Sequence, residues 1–149
     1  LLTNPTVNSY KRFAPYQLAP NRILWGHDNR GAMIRALMTP GDPAARIENR
    51  VADSSANPYF ALAGQIHAGL LGVTDGLSAP PPSETPYEGA EALPPNLGDA
   101  IAAFETSPFI EAAFGADVQG YLAKLKRAEW DRYLISLSEW EHQEYFSLL

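Results

Sequence analysis

The chain has no cysteine, so it carries neither a disulfide framework nor a thiolate metal site. That absence fits a reducing compartment, and the cytoplasm is the expected location. It also has no apolar run long enough to span a bilayer, so no membrane partner is expected. The opening Leu1-Leu2-Thr3-Asn4-Pro5-Thr6 has neither an initiator methionine nor a basic stretch ahead of an apolar one. It does not read as a signal peptide, and it reads instead as a chain entered partway. A phosphate-cradling GxxxxGK[ST] loop and a GxGxxG fingerprint are both missing, and no Ser/His/Asp constellation can be assembled from local signatures. The three histidines, His27, His67 and His142, have no metal-ligand spacing among them. With a net charge of −6, nucleic acid is not expected as a partner.

Positive charge is scarce over most of the chain and concentrated where it does occur. Residues 51–149 hold 4 basic and 14 acidic groups. Residues 1–50 hold 7 basic groups (Lys11, Arg12, Arg22, Arg30, Arg35, Arg46 and Arg50) against Asp28, Asp42 and Glu48. Guanidinium groups gathered inside an otherwise acidic protein mark a candidate anion site, because their forked donors match carboxylate and phosphate.

The 149 residues, 46% of them apolar, suffice for one domain with a real core. The segments Arg22–Trp25, Met33–Leu37 and Arg46–Val51 are rich in branched and aromatic residues. Turn signals separate them at Asp28–Gly31 and Thr39–Pro43. Antiparallel strands are predicted over about residues 20–51. Asn57-Pro58 then opens a helix, with Tyr59, Leu62, Ala63, Ile66 and Leu70 at helical spacing and an end near Gly72 or Gly76. Residues 78–96 hold six prolines and read as a surface loop with mobility. A short helix with Leu97, Ile101 and Phe104 on one face follows, then one from Ser107-Pro108 to Gly115. A last long helix, capped by Asp117, is predicted to bring Trp130 and Trp140 to a common side. The class is α+β, strands first and helices after. Within a single domain over 1–149, the expected division is strands and a flap at 1–55, a helix at 56–77, the proline-rich loop at 78–96 and helices at 97–149.

Arg46-Ile47-Glu48-Asn49-Arg50 carries the clearest chemistry. On a strand, alternate side chains share a face. Arg46, Glu48 and Arg50 then form a plus–minus–plus row, with Ile47 and Val51 on the other side. A glutamate between arginines stays ionised and can bind a hard divalent cation, while the arginines hold anionic substrate beside it. A salt-bridge ladder on a solvated face is the other reading, and on pattern alone the commoner one. Arg30 lies in a turn where Gly31 allows the backbone close to a ligand, or it is an exposed hairpin-tip arginine.

Four motifs in order then carry a resemblance. Asn8-Ser9-Tyr10-Lys11-Arg12, Asp28-Asn29-Arg30-Gly31-Ala32-Met33-Ile34-Arg35, Arg46-Ile47-Glu48-Asn49-Arg50 and Ala56-Asn57-Pro58-Tyr59 follow the order and spacing of the glutamine synthetase family. The chain resembles the C-terminal part of that family's catalytic domain. The resemblance implies an ATP-dependent carboxylate–amine ligase. It would make a γ-glutamyl amide from glutamate and ammonia or an organic amine, through γ-glutamyl phosphate. ATP and Mg²⁺ or Mn²⁺ are the implied cofactors, and a ring-shaped homo-oligomer the implied assembly. By motif, Arg12 and Arg50 would bind the amino-acid substrate, and Arg30 would be catalytic at the phosphorylated intermediate. Arg35 and Arg46 would meet nucleotide and phosphate, and Glu48 would ligate metal.

This sequence departs from that pattern in three respects. Where ammonia-using members carry a flap glutamate before Ala-Pro, Leu18 stands here, which leaves the nitrogen donor open between ammonia and an organic amine or polyamine. A basic residue found in some members ahead of the Arg-x-Glu-x-Arg row is Pro43 here. Most of the family's metal-binding glutamates and its metal-binding histidine belong to strands upstream, so the chain by itself is expected to be inactive. A different class of function is a non-catalytic binding or oligomerisation module that works through Trp130, Trp140 and Tyr145.

Overall fold

The computed structural model describes residues 1–14, 17 and 19–148. The flap position, Leu18, lies outside the described residues. The chain forms two compact units, Leu1–Ala100 and Ile101–Leu149. The class is α+β, as expected.

The first unit begins with a short helix the sequence did not announce, α1 (Val7–Lys11). Thr6 and Ser9 close a capping box around its first turn, which lets five residues hold a helix beside Pro5. Tyr10 is buried and donates its hydroxyl to the Asn4 carbonyl at 2.7 Å, and burial raises its pKa. The buried Asn4 amide donates to the Val51 carbonyl at 2.8 Å, and Asp53 N–H donates to the Thr3 carbonyl at 2.9 Å. These bonds tie α1 to the chain that leaves the third strand.

Three short strands form one sheet in the order β1 (Trp25–His27), β2 (Ile34–Leu37), β3 (Arg46–Asn49). β2 and β3 are antiparallel as predicted, with Arg35 opposite Glu48. Their connection turns at Thr39–Asp42, where Pro40 and Gly41 (φ +79°) occupy the central positions of a type II turn closed by a 3.1 Å bond. β1 and β2 depart from the antiparallel expectation: they run parallel, with Trp25 opposite Ile34 and His27 opposite Ala36. Parallel neighbours usually need a crossover of a dozen or more residues. Here residues 28–33 suffice because β1 is only three residues long, so the chain has little distance to retrace. Of the expected Arg22–Trp25 strand, Arg22 makes only an isolated bridge to Ala92.

The proline-rich segment is not a free loop. Ser83 N–H donates to the Trp25 carbonyl at 2.8 Å, and the Trp25 indole N–H donates to the Pro80 carbonyl at 2.7 Å. Ile23 N–H donates to Glu91 O and Leu93 N–H to Asn21 O, both at 2.9 Å. The segment is thus laced along the outer edge of β1. Gly31 is needed for this contact: a Cβ there would lie 2.6 Å from Pro86 Cγ.

Helix α2 (Pro58–Thr74) starts as predicted, with the Asn57 side chain accepting from Tyr59 N–H at 3.0 Å. It ends between the two glycines foreseen. Gly76 (φ +60°) sits past the Asp75 cap, Gly76 N–H donates to Val73 O at 3.3 Å and Leu77 N–H to Gly72 O at 2.9 Å, a Schellman closure. No residue of α2 is buried. Helix α3 (Leu97–Glu105) follows, and its Leu97, Ile101 and Phe104 are buried as the spacing predicts.

In the second unit, α4 (Pro108–Phe114) is capped by Ser107 and stops at Gly115 (φ +82°), as expected. Helix α5 (Ala116–Leu134) takes Gly115 as its N-cap, so Asp117 is a first-turn acid favoured by the helix dipole and not the cap. The buried Gln119 side chain donates to the carbonyls of Phe104, Glu105 and Ser107 at 2.7, 3.2 and 3.1 Å. One amide thereby ties the end of α3 to the start of α4, adding to the bonds that Phe104 O and Ser107 O accept from Ser107 N–H (3.4 Å) and Glu111 N–H (3.2 Å). The predicted single long helix is in fact two. The chain leaves α5 at Ile135, and Ser138 with Glu141 forms a capping box that starts α6 (Glu139–Tyr145). Trp130 and Trp140 therefore belong to different helices and share no helical side. Trp130 stacks on Tyr133 (5.3 Å), and Trp140 meets Tyr145 edge-on (5.9 Å). No helix among the described residues is long and apolar enough to cross a membrane.

Candidate functional site: an arginine and carboxylate face

Alternation along the strands sets the site. Glu48 on β3 faces Arg35 on β2, and Arg46 lies two residues along the same strand. Arg35 Nη1 donates to Glu48 Oε2 at 3.0 Å, while Arg46 donates to Glu48 Oε1 through Nη2 at 2.7 Å and Nε at 3.0 Å. Arg46 Nη1 also donates to the Ala44 carbonyl at 2.9 Å. Glu48 is thus clamped on both oxygens. Its pKa is lowered, first by the hydrogen bonds from Arg46 and then by those from Arg35.

The opposite edge of Arg35 is taken by Asp28, just past the end of β1. Nε and Nη2 of Arg35 both donate to Asp28 Oδ1, the former at 2.9 Å. This lowers the Asp28 pKa, with weaker help from the charges of Arg30 and Arg46, and raises that of Arg35. Arg30 therefore lies in the electrostatic neighbourhood of the cluster, exposed and with no direct hydrogen bond or ion pair among the described residues. Its turn is shaped by Asn29, whose Oδ1 accepts from Gly31 N–H at 3.0 Å and whose Nδ2 donates to Ser83 O at 3.3 Å.

The six residues singled out from sequence are not all brought together. Arg35, Arg46 and Glu48 form one bonded network, and Arg30 stands beside it. Arg12 lies elsewhere, donating to the carbonyls of Val51 and Ala52 at 3.4 and 3.2 Å near Asp53, past the end of β3. Arg50 is half-buried one residue beyond β3, where its backbone N–H donates to Met33 O at 2.9 Å. Its side chain has no partner among the described residues. Of the opposite face, Val51 is buried but Ile47 is 68% exposed. Asp28 is the component that the motif reading left out: its link to Arg35 depends on the parallel pairing of β1 with β2. The only local hint was an aspartate in a turn, and its φ of +47° is one that Asp tolerates better than most residues.

The cations Arg30, Arg35 and Arg46 outnumber the carboxylates Asp28 and Glu48, so the face is suited to a ligand rich in negative oxygens. A divalent metal is a different matter. Among the described residues no three His, Cys, Asp or Glu side chains converge on a point, and Glu48 already spends three acceptor positions on guanidinium. The donors present do not by themselves hold such an ion.

An α+β unit thus carries a guanidinium–carboxylate face whose cations match the chemistry of acidic or phosphorylated groups. Comparison with known proteins narrows this. The family described as "Glutamine synthetase, catalytic domain" matches residues 1–145, and the chain belongs to that family. A glutamine synthetase of Halobacterium salinarum is 44% identical over 154 residues, covering 97% of this chain and 34% of that protein. A γ-glutamylanilide synthase of Acinetobacter is 39% identical over 161 residues, covering 99% of this chain and 32% of that protein. A solved structure described as a GmaS/ADP complex superposes with a TM-score of 0.83 at 37% identity, over 98% of this chain and 35% of that one. The chain thus spans about a third of the length of the relatives it matches.

Proposed function

We propose that this chain forms part of an ATP-dependent ligase that joins the γ-carboxyl of glutamate to an amine. A γ-carboxylate oxygen attacks the terminal phosphorus of ATP and ADP leaves. The amine then attacks the acyl carbon, loses a proton, and phosphate departs. Both steps crowd negative oxygens, and cations held in advance lower that cost. The observation that carries this reading is the bonded Arg35–Glu48–Arg46 network with Arg30 alongside.

In this reading Arg30 acts at the phosphorylated intermediate, Arg35 and Arg46 serve nucleotide and phosphate, and Arg50 and Arg12 serve the amino acid. Arg12 does so from the far end of β3, so its substrate contact involves a different part of the ligand. Glu48 supplies at most one metal ligand, with the remaining carboxylates coming from outside these residues. Leu18 favours an organic amine, since a leucine cannot hold ammonium or take its proton. The γ-glutamylanilide synthase relative is named for such a product, which supports the same choice. Cytoplasmic location and homo-oligomeric assembly belong to the same reading.

The test is a chimera in which this chain replaces the matching third of the Acinetobacter relative. Phosphate release is followed with ATP, glutamate and either ammonia or a panel of alkyl and aryl amines. Turnover at least about tenfold faster with one organic amine than with ammonia, abolished by Arg30→Ala, is expected. Equal or better use of ammonia contradicts the amine assignment. An assembled but inert chimera contradicts the ligase.

A further inference from the structure

Arg35 enters its site with three of its donors already engaged. The Nε/Nη2 edge, one of the two edges that can grip carboxylate or phosphate in bidentate fashion, donates from both nitrogens to Asp28 Oδ1, with Nε at 2.9 Å, while Nη1 donates to Glu48 at 3.0 Å. The Arg35 side chain is only 14% exposed, whereas the Asp28 side chain is 70% exposed. Asp28 reaches this edge from left-handed backbone (φ +47°). It is fixed there by its own N–H, which donates to the Ala36 carbonyl at 2.9 Å at the end of the parallel ladder. Arg30 and Arg46 bear on the same carboxylate. An exposed, tethered anion therefore occupies a bidentate edge of the least exposed arginine in the cluster, surrounded by three cations.

We propose that Asp28 is a specificity residue that competes for Arg35, so that a lone phosphate is refused and a polyphosphate admitted. This rests on the reading of the arginine face as a phosphate site. A single phosphate must displace a carboxylate that is already in place and pays no cost of association. A polyphosphate carries more charge and spans further. It gains contacts with Arg30 and Arg46 and does not depend on the Arg35 edge alone.

The experiment is calorimetric titration of the 149-residue chain with inorganic phosphate and with inorganic triphosphate at fixed ionic strength. It compares the natural chain with Asp28→Asn and Asp28→Gly. Asn removes the charge and tolerates the left-handed backbone, and Gly removes the side chain and any strain at that φ. In both variants phosphate binding is expected to tighten about five- to tenfold and triphosphate binding by less than about threefold, so the preference for triphosphate narrows. An unchanged preference, or weaker phosphate binding in both variants, overturns the role of Asp28 while leaving the phosphate-site reading intact if triphosphate still binds. Triphosphate binding by none of the three proteins overturns both.

Discussion

Glu48 is the residue on which the site turns, since both its oxygens are held by guanidinium groups from two strands. Its carboxyl and that of Asp28 titrate below the ordinary values of about 4. A carboxyl depressed in the folded state contributes stability above its unfolded pKa and loses it as pH falls through the folded value. Both groups face solvent, so the contribution is modest and is screened by salt. The urea midpoint of the natural chain is therefore expected to fall more steeply below about pH 4 than that of Glu48→Gln, and added salt should narrow the gap. Identical acid limbs in the two proteins would contradict the network. The Arg46–Glu48 part of this network was legible because alternation on a strand follows from spacing two apart. Its link to Arg35 was not, because register between strands is fixed by the intervening turn and by pairing, which spacing within one segment does not reveal. The position of Arg12 was not legible for a related reason: α1 and its anchor through Asn4 bring it to the Val51 carbonyl just past the end of β3.

At the level of elements, boundaries set by capping chemistry were readable, as at Asn57-Pro58, Ser107-Pro108 and Gly115. The break between α5 and α6 was readable in principle, since Ser138 and Glu141 spell a capping box, but the apolar run across it looked continuous. Ser138→Ala should cost about 1 kcal/mol of local helix stability. Amide exchange at Glu141 and His142 should speed up while the protection of α5 is unchanged. Helix α2 carries the opposite lesson. Its apolar spacing predicts a core-facing stripe, yet Tyr59, Leu62 and Ile66 are 84, 62 and 61% exposed. Apolar periodicity reports that a face is suited to burial and does not supply the neighbour that buries it. In the 149-residue chain, Leu62→Glu should therefore change unfolding free energy by no more than about 0.5 kcal/mol in a denaturant titration. A loss several times larger would mean that α2 is packed after all. The parallel pairing of β1 and β2 escaped the sequence because a turn signal between two short strands ordinarily marks a hairpin.

As a whole, the molecule presents two units, an apolar helix open to solvent, and an anion-suited face with one clamped carboxylate where a divalent metal needs several. The family and class were legible because four linked motifs keep their spacing whatever surrounds them. The pairing of the strands and the division of the last helix depend on contacts between segments, which no single motif encodes. By itself the 149-residue chain should release no phosphate from ATP above background in the presence of glutamate, amine and Mg²⁺. Measurable turnover would show that these residues hold a complete metal site.

The arginine side chains can be watched directly. Nitrogen-15 spectra of the chain's arginine Nε–H groups, recorded during titration with triphosphate, should show Arg30, Arg35 and Arg46 shifting together along one saturating curve, with Arg22 and Arg127 unmoved. Shifts spread evenly over all the arginines, or confined to Arg127, would mean that this face holds no anion of its own.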